Sequence, residues 1–151
     1  MKTTFYILAN ILSLATALPQ GHSNLISGRQ TFIASLVPEF GNAGIGPRPG
    51  VPADCITSAG TPVACDCPGD RGVFLSAVQA AVEAVDENGN PDPNSFGVPV
   101  EFPTDGSSLS VRKRIETAIT VLQNIHGAKG DGCPAISTTF PTQLANVPLP
   151  G

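Results

Sequence analysis

Apolar residues recur at helical spacing in two stretches of the chain, and the rest is arranged around them. Phe74, Val78, Ala81, Val82 and Val85 fall at i, i+4, i+7, i+8 and i+11, one face of a helix that begins after Asp70 and stops before Gly89 and Pro91. Asp70 is an N-capping residue type, because its short side chain can accept from a backbone N–H that the first turn leaves free. Val111, Ile115, Ala118, Ile119, Leu122 and Ile125 form the second stripe. They predict a helix over Leu109–His126, capped from Asp105-Gly106-Ser107-Ser108, with Arg112 one turn from Glu116 and Gly127 at its end. Two weaker patterns flank this pair. Phe32, Ile33, Leu36, Val37 and Phe40 predict a short helix over Thr31–Phe40, limited by Pro38. Another short helix is predicted from about Ala135 to Leu144, against the influence of Pro141.

The polar and glycine-rich stretches between these elements read as connections. Gly41–Asp54 holds four glycines and three prolines and reads as an irregular linker. Ile56 to Ala64, between Cys55 and Cys65, has Ser58-Ala59-Gly60-Thr61 as turn material and predicts a small hairpin. Asp86–Gly97 reads as a polar loop, and Val98–Pro103 as extended chain whose prolines exclude it from the middle of a sheet. With 16 glycines and 15 prolines in 151 residues, the expectation is a mainly α fold, a small disulfide-stapled helical bundle with long Pro/Gly-rich loops. It would form a single α-rich domain over residues 30–145, followed by a loose tail at 146–151.

The N-terminus has the layout of a secretory signal peptide over residues 1–17. Lys2 gives a positive start, Phe5–Leu14 an apolar run, and Ala15-Thr16-Ala17 a small-residue cleavage site. The apolar run is shorter than the roughly 20 residues that span a bilayer, so no transmembrane segment is expected in the mature chain. Residues 18–29 are polar and aperiodic, either a flexible arm or a propeptide whose removal after Arg29 would expose Gln30. The expected location is therefore extracellular. A net charge of −4 and a pI near 4.9 argue against nucleic acid or an anionic membrane as partner.

Four cysteines in an exported chain suggest two disulfides, with three ways of pairing them. Cys65 and Cys67 are too close in sequence to bridge without strain. The preferred pairing is Cys55 with Cys65 and Cys67 with Cys133; the second bridge would close a long loop and stabilise by roughly 3–4 kcal/mol on the chain-entropy view. The spacing lacks a C-x2-C pair, so zinc is disfavoured.

Candidate chemistry is sparse. Asp86, Asn88, Asn90 and Asp92 alternate as calcium ligands would, yet Pro91 stands where an EF-hand needs glycine and Gly97 where it needs glutamate, so a solvated loop is the simpler reading. Arg112-Lys113-Arg114 reads as a solvated helix start. His126, at a helix end, and His22, in the arm, lack a patterned nucleophile or base, so no catalytic residue and no cofactor are assigned. Sugar-binding platforms are disfavoured by the absence of Trp, and the single Tyr, Tyr6, lies in the signal segment.

Cys65 to Arg71 (Cys-x-Cys-Pro-x-Asp-Arg), Val100 to Asp105 (Val-x-Phe-Pro-Thr-Asp), Thr120 to Asn124 and Gly132 to Phe140 follow one another in a fixed order. Over this half of the chain the sequence resembles a family of uncharacterised small secreted cysteine-containing proteins of filamentous fungi. The resemblance implies export, a disulfide frame and an effector-like or cell-surface role, and it supplies no catalytic residues. The leading expectation is a secreted, non-enzymatic protein that acts by interaction with an extracellular protein, wall component or small ligand. The alternatives are a lipid or small-ligand carrier with a hollow between the Phe74 and Ile115 faces, and a small secreted hydrolase with converging acidic or histidine groups.

Overall fold

The computed structural model describes residues 29–41 and 46–149. The signal segment 1–17, the arm up to residue 28 and the end of the tail at 150–151 lie outside the described residues. Among the described residues, three helices, α1 (Arg71–Val82), α2 (Ser108–Leu122) and α3 (Phe140–Asn146), are joined by five short strands. Strands β1 (Gly46–Arg48), β2 (Val51–Ile56) and β3 (Pro62–Ala64) form one antiparallel sheet in that order, and β4 (Asn94–Ser95) with β5 (Val98–Pro99) forms a second. This corrects the expected mainly α helical bundle: the fold is mixed, with short helices packed beside two small sheets.

The correction arises where glycine and proline were read as excluding structure. Gly46–Arg48, inside the expected linker, pairs with β2 through Gly46↔Ile56, Pro47↔Cys55 and Arg48↔Val51. The register shifts between Pro47 and Arg48, a bulge in an edge strand, where a proline deprives no ladder of its donor. The hairpin between Cys55 and Cys65 forms with Cys55 opposite Val63, and Gly60 turns it at a positive φ of 77°.

Helix α1 starts where its pattern says, with the Asp70 carboxylate accepting from Val73 N at 2.9 Å. Phe74, Val78, Ala81 and Val82 are buried, but Val85 is not on this face. Asp92 N donates to Ala84 O at 2.9 Å and Val85 bridges to Pro91, drawing the chain away after Glu83 and leaving Val85 exposed. Helix α2 likewise ends a turn early. Cys133 N takes the Leu122 carbonyl at 2.9 Å, so the predicted last turn to His126 is replaced by loop. Gly132 is required at this junction, because a Cβ there would overlap the Leu122 carbonyl and lie 2.7 Å from the Gln123 carbonyl carbon.

The helix expected over Thr31–Phe40 is reduced to one 3-10 turn, Ala34–Leu36. Pro38 biases Val37 to extended backbone, and the Arg71 guanidinium then fixes it, donating to Pro38 O at 2.7 Å and Val37 O at 2.9 Å. The same guanidinium lies 5.3 Å from the Phe40 ring centre and 5.5 Å from that of Phe74. The last predicted helix splits into a 3-10 turn, Ala135–Ser137, and α3, whose first turn holds Pro141, where no backbone donor is lost.

The arginines also correct the reading of a solvated basic cluster. Arg114 is buried and donates to Pro103 O at 2.7 Å and Asp105 O at 2.9 Å. Arg112 donates to Leu144 O at 3.1 Å in place of pairing with Glu116, which holds α3 against α2. Lys113 is half-buried and pairs with Glu101 at 3.0 Å. Thr117 locks the extended segment beside α2, donating to Glu101 O at 2.7 Å and accepting from Glu101 N at 3.1 Å.

Phe74, Phe102, Phe140, Val78, Val82, Val121 and Leu122 are fully buried and, with Ile115 and Ala118, make one core. Phe74 and Ile115, between which a carrier would need a hollow, belong to this same packed cluster. Two disulfides bound it. Cys55–Cys65 closes the hairpin, and Cys67–Cys133 joins the start of α1 to the segment after α2 across 66 residues. Replacing Cys67 and Cys133 together by Ala is expected to lower unfolding free energy by about 4 kcal/mol, against about 3 for Cys55 with Cys65, in proportion to loop entropy. Urea unfolding of the two double variants checks this; equal losses would contradict it.

Asp105 caps the entrance to α2, accepting from Ser107 N at 2.8 Å and from the Ser110 hydroxyl at 2.6 Å. Hydrogen bonds from Ser107 and Ser110 hold its carboxyl well below the usual carboxylate range. The folded pKa is depressed, so the stabilisation is fully present above the unfolded value of about 4 and is lost as pH falls through the folded one. Asp105→Asn should flatten the acid limb of a melting-temperature profile; a limb as steep as that of the parent protein would show that Asp105 is not its source.

Candidate functional site

The β4–β5 hairpin turns through Phe96-Gly97, with φ of 50° and 79°. Positive φ at both central residues is the mark of a type I′ turn, where Asn-Gly is the favoured pair and a bulky residue in the first position is strained. Phe96 is nevertheless there, and 53% exposed. Its neighbours hold the turn in shape. Asn94 Oδ1 accepts from Gly97 N at 3.0 Å, Ser95 pairs with Val98, and the buried Asn124 amide donates to Ser95 O at 3.1 Å and Ser95 Oγ at 3.2 Å. Asn124 Oδ1 in turn accepts from Gly130 N at 2.7 Å, so this one side chain joins the hairpin to the loop after α2.

Beside Phe96 lies a pocket of about 240 Å³. Ala77, Ala80 and Ala81, at i, i+3 and i+4 on α1, form one wall, and Val121 and Ile125 the other. Three small side chains on one helix face are what leave the space. Asn94, Ser95 and Asn124 supply the polar edge. On the other side of Asn124 is a wider, more open cleft of about 490 Å³, whose lining contains a single ionisable side chain, Lys129.

The residues singled out in the sequence are placed elsewhere. The four cysteines form the two disulfides. Asp86 accepts from Asn88 N at 2.9 Å, Asn90 N at 2.8 Å and Asn90 Nδ2 at 3.1 Å, while Asp92 accepts from Asn94 Nδ2 at 3.1 Å. These bonds fold the loop on itself, and they hold the Asp86 carboxyl below its ordinary value, chiefly through the Asn90 side chain. Among the described residues no group of three or more His, Cys, Asp or Glu side chains is placed to hold a metal ion. His126 Nδ1 stands 3.6 Å from Asp131 Oδ1, both exposed. His22 lies outside the described residues.

Phe96, Asn124 and the alanine wall were not singled out as a site from the sequence. The one local signal was Ser-Phe-Gly at the tip of a turn, with phenylalanine where asparagine is the ordinary choice. Compared with family models, curated proteins and solved structures, the chain matches none.

Relieving the turn should stabilise the protein. Phe96→Asn places a residue suited to φ of 50° in a position that is already half solvent, and is expected to raise unfolding free energy by about 1 kcal/mol. Thermal unfolding measures it; a loss of about 1 kcal/mol or more, the size of one buried methylene, would mean that Phe96 contributes packing that outweighs the strain.

Proposed function

We propose that this chain is an exported, disulfide-stapled protein that acts by interaction, with Phe96 and the pocket beside it as its contact surface. The observation that carries the proposal is an exposed aromatic side chain kept at a strained backbone position against a pocket floored by alanines. A protein selected for stability alone has an easy improvement at this position, and strain of this kind collects at functional sites. Aromatic residues are also the side chains that most often anchor an interface.

Export is supported by the signal-peptide layout of residues 1–17 and by two disulfides, which persist in oxidising surroundings. Among the described residues no helix is long and apolar enough to cross a membrane. The resemblance of Cys65–Arg71, Val100–Asp105, Thr120–Asn124 and Gly132–Phe140 to small secreted fungal proteins supports an effector-like or cell-surface role.

The test compares the disulfide-intact protein with Phe96→Asn for retention on immobilised extracellular proteins and wall polysaccharides. Loss of a central aromatic anchor should weaken the retained interaction about tenfold or more while the variant stays folded. Equal retention of both proteins would remove Phe96 from the contact. A hydrolytic activity abolished by one substitution elsewhere, and untouched by Phe96→Asn, would replace the interaction reading altogether.

A further inference from the structure

On the premise that the Phe96 pocket is a contact surface, we infer that its occupant is a cationic stretch of polypeptide that inserts one apolar side chain between Phe96 and the alanine face of α1. At about 240 Å³ the pocket falls below the roughly 300–1,000 Å³ of small-molecule sites and suits a single anchoring side chain. No side chain lining it is charged. From Gly72 to Val111 the chain carries six acidic residues and no basic one.

Four of the six, Glu83, Asp86, Glu87 and Asp92, sit on the connection that runs from the Ala80–Ala81 wall to Asn94 at the pocket edge. The other two are engaged elsewhere: Glu101 faces Lys113 and Asp105 caps α2. Hydrogen bonds from Asn90 and Asn88 hold the Asp86 carboxyl below its ordinary value, and among the described residues the Glu83 side chain accepts from the neutral Gln79 amide, at 3.1 Å. The basic residues of the opposite flank lie outside this lining. His126 faces Asp131, and Lys129 lines the wider cleft. An apolar hole with this acidic connection running to its edge, where Asn94 Nδ2 donates to the Asp92 carboxylate at 3.1 Å, complements lysine or arginine flanking an apolar anchor. A second copy of this chain would bring the same acidic connection with it, and an anionic lipid surface would be repelled.

A peptide-display library selected on the disulfide-intact protein, with Phe96→Asn as the counter-selection, tests the inference. Enriched peptides should carry Lys or Arg beside an aliphatic or aromatic residue, and their synthetic forms should bind Phe96→Asn about tenfold more weakly. Glu83→Gln with Glu87→Gln should weaken them several-fold, and so should raising the salt from about 0.05 to about 0.5 M. Enrichment of neutral or acidic peptides that still depend on Phe96 would overturn the cationic partner while the contact surface stands. Self-association in sedimentation that is lost in Phe96→Asn would assign the pocket to a second copy and overturn it too. Selection that never distinguishes Phe96→Asn from the parent would overturn both the partner and the surface.

Discussion

Backbone carbonyls and amides that no helix or strand can pair must still find partners once they are buried, and the long irregular stretches of this chain make that requirement severe. Side chains meet it. Arg71 takes the carbonyls of Val37 and Pro38, Arg114 those of Pro103 and Asp105, and Arg112 that of Leu144. Gln30 works as a short mimic of a strand, its Nε2 donating to Val100 O and its Oε1 accepting from Phe102 N. A planar guanidinium suits the task, since it presents several donors in a fixed fork and stays charged. Removing one of them would leave partly buried acceptors without partners, which is more damaging than the loss of a surface charge.

The disulfides and the aromatic core depend on this arrangement and reinforce it. Cys67–Cys133 can join α1 to the segment after α2 only because Gly132 lets the chain pass against the end of α2, where Cys133 N caps the Leu122 carbonyl. Phe40 reaches Phe74 and Phe140, with ring centres 4.9 and 5.9 Å apart, only because Arg71 holds the preceding residues extended. Bridge, half-buried cation and aromatic cluster thus fasten the same junction from three sides.

The Phe96 hairpin stands apart from that economy. Everything around it is committed to fixing its shape: Asn124 is buried to hold Ser95, Asn94 closes the turn, and three alanines keep a wall low where larger residues would fill the gap. The residue at the tip is the one that gains least from being there. Local rules of turn chemistry are satisfied throughout the rest of the hairpin and broken at this position.

The amphipathic stripes of α1 and α2, the Asp70 and Ser107 caps and the Cys55–Cys65 hairpin were legible in the sequence, because each depends on residues close together in the chain. The helix ends were not. Val85 and Ile125 continue their stripes by spacing, yet Asp92 and Cys133, both distant in the pattern, take the carbonyls that would have carried the helices on. The strand at Gly46–Arg48 was hidden for a similar reason, since a proline-containing segment becomes a strand only when an edge is available and a bulge absorbs the mismatch. Of the pocket beside Phe96, the sequence by itself determined only an oddity, phenylalanine before glycine in a turn. The tertiary structure decided the rest: the alanines of α1, the Asn124 amide and Phe96 come to line one pocket only when α1, the hairpin and the end of α2 are packed together. Spacing along a chain reports the faces of single elements, whereas a pocket is made of what different elements leave unfilled between them.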